Sequence, residues 1–305
     1  MSETVKNRSE ILFLYDVKDS NPNGDPLDSN KPRIDEETMT NLVTDVRLKR
    51  TVRDYLDKYR GIPIFIKEVR KEDGTLKTKE NRLDEEEIDS AEKLLSKYID
   101  MRLFGAIAAI KKKTITFTGP VQFKIGRSLH RVKLEYIKGT TVSPSGEDLM
   151  RGTFTEMYVL PYSLICFYGV VNENSAEYTK LTEEDVKMLM DGLWNGTKNL
   201  ISRSKVGQMP RLLLKVNYKE KNYHIGDLSA LLKLESSLRG EEIRDTADYT
   251  INVSSLVNIL KDNREKVKDV ELAADPALRF TSEGKEAPIG EILRSAGLTV
   301  NAIQF

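Results

Sequence analysis

Four aspartates, Asp16, Asp19, Asp25 and Asp28, crowd the segment that closes the first apolar run of the chain. Carboxylates so spaced could share a proton for acid–base work or hold Mg²⁺. No motif sets a His or Lys beside them. The run Asp19-Ser-Asn21-Pro-Asn23-Gly24 imitates the first half of a calcium loop, but the twelfth position, which needs a bidentate Glu, is Asn30. A rigid loop rich in Asn, Asp and Pro is the better expectation. The two histidines, His130 and His224, are the remaining acid–base candidates, and His224 lies in a Tyr- and Lys-rich turn that reads as surface. Cys166 is the single cysteine, which excludes an intramolecular disulfide and a multi-cysteine zinc site. It sits in the apolar run SLICFYG and reads as core. Ser202-Arg-Ser-Lys205 matches S-x-x-K, but in a basic loop phosphate contact is the better reading than acyl transfer. No Walker loop, G-x-S-x-G or Rossmann fingerprint occurs. The expectation is a protein without catalytic residues, cofactor or resident metal.

The cations carry a stronger signal. The 305 residues hold 48 Lys and Arg against 48 Asp and Glu, so the formal net charge is zero. That total hides segregation. From Arg102 to Lys138 nine basic residues face Glu135 alone, and from Gly196 to His224 seven face only Glu220. Arg47, Lys49, Arg50 and Arg53 fall within two helical turns, with Asp54 and Asp57 as partial compensation. Such clusters act within the roughly 8–10 Å reach of screened charge, so placement matters more than the sum. A bound phosphate chain would relieve the repulsion on the helix, and three cationic stretches suit sequence-independent gripping of a nucleic-acid backbone. Phe117, Phe123, Phe154 and Tyr158 lie near basic residues and could stack on bases, although aromatic residues in strands are more often core.

The elements that must position these residues follow from periodicity. SEILFLYDV (Ser9 to Val17) is apolar on both faces and predicts a central buried strand. Asn41 to Tyr59 predicts a helix with Leu48, Val52, Tyr55 and Tyr59 on one line, Arg47, Arg50 and Arg53 opposite, Lys49 on the flank and Gly61 as the stop. Ile62 to Val69 predicts a strand, Asp73-Gly74 a hairpin turn, and Leu83 to Tyr98 a second amphipathic helix. Thr153 to Val171 predicts a long strand broken near Pro161. Thr182 with Asp185 resembles a capping box opening a helix through Leu200, Arg211 to Tyr218 is a strand, and Ser254 to Val267 and Glu286 to Ala296 are helices. The order suits an α+β sheet of the split βαβ kind with long excursions. No run of 18 apolar residues and no signal-peptide core is present, so a cytoplasmic protein with no membrane partner is expected.

The same residues carry a resemblance. NPNGDPLDSNKPRIDEETMTNLVTDVRLKRTVRDYL (Asn21 to Leu56) resembles the signature of the CRISPR-associated backbone subunit, the Cas-seven family, in its Csh subtype of type I-B Cascade. DMRLFGA, GPVQFKIGRSLH, RGTFTEMYVLPYSL and LWNGTKNLISRSKVGQMPRLLL extend the match along most of the chain. The resemblance implies one modified RRM-like (ferredoxin-like) palm over residues 1–305. It implies a finger insertion at 61–99 and a thumb hairpin at 128–157, with its tip in TTVSPSGED. It implies copies stacked head to tail along a CRISPR RNA, other Cascade subunits as partners, and target DNA met through guide pairing. Lys49 and Arg53 are the first RNA contacts it suggests, Arg47 and Arg50 the next, with Lys31, Arg127, Arg203 and Lys205 as weaker ones. In related type III subunits a loop aspartate cuts target RNA, and Asp25 is the corresponding candidate for that alternative.

Overall fold

The computed structural model describes residues 3–110, 113–140 and 154–305. Its centre is the strand Ser9–Ser20, buried on both faces from Ser9 to Val17 as its unbroken apolar pattern requires. It pairs antiparallel with Phe154–Val171 on one side and with Met209–Tyr218 on the other. Beyond Met209–Tyr218 lie Val267–Ala274 and then Val300–Ala302; beyond Phe154–Val171 lie Gly126–Arg131, Thr40–Val43 and Ile34–Asp35. The strand Glu135–Thr140 pairs with the outer half of Phe154–Val171. That long strand is continuous through Pro161, contrary to the predicted break. Pairing with the first strand skips from Lys18–Tyr162 to Ser20–Leu160. Asp19, which falls in the gap, has φ 47°, so the missing proline N–H costs no ladder bond.

The two faces of the sheet carry different cores because strand side chains alternate. Ile11, Phe13, Tyr15 and Val17 face the helices α1 (Asp45–Arg60) and α6 (Glu183–Lys198). Leu12 and Leu14 face a C-terminal layer that includes Tyr249, Leu256, Leu260 and Leu293. α6 opens on the expected capping box between Thr182 and Asp185. It approaches α1 closely through glycines: a methyl added at Gly192 would lie 2.8 Å from Val52 Cγ1, and one at Gly196 3.0 Å from Tyr55 Cβ.

Helix α1 begins four residues later than predicted, because Thr40–Val43 is a strand and Thr44 is the N-cap. It ends at Gly61 in the left-handed conformation. Leu48, Val52, Tyr55 and Leu56 are buried, whereas Tyr59 is 56% exposed, one turn past the last residue that the sheet covers. The segment after α1 departs further from expectation. Ile62 to Val69 forms no strand, since Phe65 and Ile66 give their amides to the Asp100 carboxylate instead of a ladder. The predicted helix Leu83 to Tyr98 is two, α2 (Lys79–Glu85) and α3 (Ala91–Lys97), broken where Glu87 takes φ 54°. Phe65, Leu83, Leu94, Tyr98 and Met101 form a third, smaller core under this excursion. α4 (Ile99–Phe104) then returns the chain to the helix layer, and α5 (Glu173–Thr179) follows the long strand. The two C-terminal helices are shorter than predicted, Ser254–Asp262 and Ile289–Ser295.

Candidate nucleic-acid interface

Three segments meet beyond the end of the central strand: the loop after Ser20, the N-terminus of α1, and the loop after α6. They are stitched by hydrogen bonds. Asn23 Oδ1 accepts both the amide and the hydroxyl of Thr44, each at 2.9 Å, and Thr44 in turn caps the Arg47 amide. The Asn21 amide donates to the Ser204 carbonyl at 2.8 Å, and the Ser20 hydroxyl donates to the same oxygen. Lys205 Nζ donates to the Asn21 carbonyl at 3.0 Å. The Asn- and Pro-rich loop is therefore a rigid bracket between two basic segments that are more than 150 residues apart in sequence.

What the bracket holds is a pair of cations with no acid. Among the described residues the Arg47 guanidinium donates only to the Thr51 hydroxyl, at 3.0 Å, and its Nε is buried without a partner. Among the described residues neither Arg47 nor Lys205 forms an ion pair. Asp54, whose charge reaches Arg47, is itself gripped by Arg50 at 2.8 and 2.9 Å. Burial, and then the adjacent Arg47 charge, holds the Lys205 ammonium below the usual lysine range. Burial likewise lowers Arg47. Asn21 Oδ1 and Gln208 Nε2, both on residues at most 3% exposed, also lack partners. Partly desolvated like charges without a counter-ion, beside unsatisfied buried polar atoms, form a site whose electrostatics favour an anion. The N-terminus of α1 adds the positive end of its dipole.

The other predicted cations, Arg203 excepted, are paired with carboxylates. Lys49, expected on the flank of α1, is 8% exposed: its Nζ binds Asp45 Oδ2 and Gln122 Oε1, each at 3.0 Å, over the Phe104 ring. Arg53 Nε binds Asp100 Oδ2 at 2.9 Å. Asp100 also accepts the Phe65 and Ile66 amides, so Arg53 fastens the excursion to α1. Arg102 and Asp185 fasten α4 to the start of α6 in the same way. Arg50, Lys31 and Arg127 are more open and pair with Asp54, Asp28 and Asp35. Arg203 is exposed on the rim of the bracket. It lines a cleft of about 170 Å³ with Asn21, Ser29, Asn30, Glu156, Met157, Tyr158 and Ser204. Composition pointed to the cations, but nothing in the sequence flagged Gln208 or the unpaired oxygen of Asn21.

The chemical alternatives find these surroundings. Asp25 binds Arg33 at 2.8 Å and the Leu27 amide at 3.0 Å. Among the described residues no three His, Cys, Asp or Glu stand together as a metal site. His130 is buried, its Nε2 accepting the Leu164 amide while Nδ1 faces the Arg131 and Gly240 carbonyls; burial lowers its pKa. His224 is exposed beside Arg8. Cys166 is buried and its thiol is pushed up by burial, so it is core, as read. Phe123 is core, edge-on to Phe167. The expected hairpin tip falls almost wholly outside the described residues. No helix among the described residues is long and apolar enough to cross a membrane.

Comparison with known proteins agrees with this architecture. The family "CRISPR-associated protein Cas7" matches residues 7–254. The protein "CRISPR-associated protein Cas7" of Haloferax volcanii is 35% identical over 309 aligned positions, covering 91% of this chain and 89% of that one. Two solved structures share the fold. One is titled "CRISPR RNA-guided surveillance complex, pre-nicking" (TM-score 0.56, 13% identity, 95% of this chain and 99% of the other). The second is titled "CRISPR RNA-guided surveillance complex" (TM-score 0.51, 16% identity, the same coverage). A mixed α+β chain matched over most of its length, with 35% identity to a curated relative, belongs to the CRISPR-associated Cas7 family.

Proposed function

We propose that this chain is a non-enzymatic CRISPR RNA-binding backbone subunit of a type I-B (Csh) Cascade. In this reading several copies stack head to tail along the guide, beside other Cascade subunits, and leave bases free to pair with target DNA in the cytoplasm. The palm is RRM-like. The strand order Met209–Tyr218, Ser9–Ser20, Phe154–Val171, Gly126–Arg131, with α1 and α6 on one face, supports that assignment. The segment 61–99, with its own small core, is the finger, and 128–157 is the thumb.

The observation that carries the reading is the unneutralised Arg47–Lys205 pair held by the Asn21–Asn23 bracket at the start of α1. A phosphodiester oxygen there neutralises both cations at once and satisfies orphaned donors. Arg203 continues the track on the rim. Lys31, Arg50 and Arg127 can join it, because exposed ion pairs are worth only about 0–1 kcal/mol and exchange readily for a phosphate. Lys49 and Arg53 are assigned to the scaffold beneath the track, since their side chains are only 10% and 12% exposed. Purified full-length protein is expected to carry RNA of one discrete length, read from its absorbance ratio and a denaturing gel. Reversing both charges, Arg47→Glu with Lys205→Glu, is expected to abolish that RNA while the thermal transition persists. RNA retained by the double variant would refute the site.

A further inference from the structure

The two edges of the main sheet are finished differently. At one, Ile34–Asp35 carries Asp35, paired with Arg127, and is followed by the exposed Glu36 and Glu37. Charges of this kind discourage the addition of another strand. At the other, Val300–Ala302 holds no charge and no proline, and Asn301 and Ala302 are exposed. This strand lies parallel to Val267–Ala274. The Thr299 carbonyl accepts the Val270 amide at 2.8 Å, and the Ile303 amide donates to the Leu272 carbonyl at 3.0 Å. Backbone groups alternate in direction along a strand, so those of Val300 and Ala302 point outward. Among the described residues they have no hydrogen-bond partner.

We infer that this edge seats an extended peptide segment of a partner protein, added as one more strand, with apolar and acidic side chains in alternation. The inference is independent of the RNA-binding reading. A cleft lies on each face of the edge, and Asn301 and Ala302 line both. On the face of the C-terminal layer the cleft holds about 600 Å³ and has an apolar wall of Leu272, Leu278, Phe280, Pro288 and Ile289. On the face of α6 it holds about 570 Å³ and is polar at its floor. There Glu271 Oε1 accepts Lys215 Nζ at 3.0 Å and Asn217 Nδ2 at 2.7 Å, and Asn217 also donates to Asp269. The floor is thus paired within itself. Lys268 on the rim is exposed and forms no ion pair among the described residues. Glu183 lines the same cleft from the first turn of α6, where the helix dipole favours a carboxylate. Side chains of an added strand point to the two faces in turn. Main-chain bonds to Val300 and Ala302 give the affinity, the apolar cleft takes every second side chain, and Lys268 favours an acid among the others.

The test is a binding titration of the full-length protein with a labelled, end-capped peptide in which valine alternates with glutamate. Its control is the isomer with the valines and the glutamates in two blocks, which has the same charge. The alternating peptide is expected to bind about tenfold more tightly, the worth of one to two net hydrogen bonds. Methylating the amide nitrogens of the valines in one peptide and of the glutamates in another should abolish binding in one of the two only, since a single set faces the edge. Ala302→Pro removes an outward donor and spares the ladder to Val267–Ala274, so it should weaken binding about tenfold while the thermal transition persists. Equal binding of the two isomers, or equal effects of the two methylations, overturns the edge site, and the methylated pair does so even where Ala302→Pro fails to fold. Binding undiminished in a folded Ala302→Pro overturns it as well. Self-association of the protein alone, lost in Ala302→Pro, gives the edge to a second copy and overturns the peptide partner.

Discussion

Two groups of cations lie on or against the same helix, and they stand in opposite surroundings. Lys49 and Arg53 point into the molecule and are met by Asp45 and Asp100. Arg47, two residues before Lys49, lies near enough to Lys205 for its charge to act there, and among the described residues it pairs with no carboxylate. The first group holds the helix layer and the segment after α1 together. The second is left electrostatically incomplete, the setting that a bound anion would complete. The lesson is that a cation's availability depends on what its neighbours have already spent. By residue type and spacing alone, Lys49 and Arg53 looked as available as Arg47.

The largest effect is expected where the scaffold pair is cut. Asp100→Ala strands the largely buried Arg53 guanidinium and the amides of Phe65 and Ile66, so urea unfolding should show a loss of about 3–5 kcal/mol. A loss below about 1 kcal/mol would break the comparison, because Arg53 would then be no latch. Next, Arg47→Ala with Lys205→Ala should leave the unfolding midpoint unchanged or raised, since it removes repulsion. The same variant should weaken RNA binding and flatten its salt dependence by about 0.7 in log–log slope for each phosphate no longer neutralised. Lys49→Met should change that slope little; a drop equal to that of Lys205→Ala would put Lys49 on the track.

The smallest effect sharpens the electrostatics. Lys205 is held below the usual lysine range when free, and a phosphate beside it raises it again. Binding is then linked to proton uptake, and affinity should fall as pH rises through the free-state value of Lys205, below the usual lysine range. Lys205→Arg, which stays charged throughout, should flatten that limb in a binding titration across alkaline pH. A limb unaffected by Lys205→Arg would assign the proton elsewhere.

His130 gives a pH dependence that belongs to the fold. Its folded pKa is lowered by burial, so the unfolded chain binds the proton more readily. Its contribution is complete above the ordinary histidine value of about 6.5 and is lost as pH falls below it. The thermal midpoint should therefore drop on acidification through that window. His130→Gln, expected to lower the midpoint at neutral pH, should reduce that acid dependence.

Much of this protein was legible from the residues alone. The two-faced apolar run at Ser9 determined a central strand, because a strand apolar on both sides must be covered on both. Thr182 with Asp185 determined the start of α6, since a cap is a local contact over three residues. The motif set determined the family, and the placement of charge pointed to nucleic acid despite a net charge of zero. Periodicity failed where contacts distant in sequence decided. The Asp100 carboxylate drew Phe65 and Ile66 out of a strand, and a left-handed Glu87 split one predicted helix in two. Which cations stay free was decided the same way. Asp100 reaches Arg53 from 47 residues away, and Lys205 comes beside Arg47 only because the Asn21 carbonyl holds it across 184. Pairing of charges is a matter of distance in space, and only the tertiary structure sets that distance.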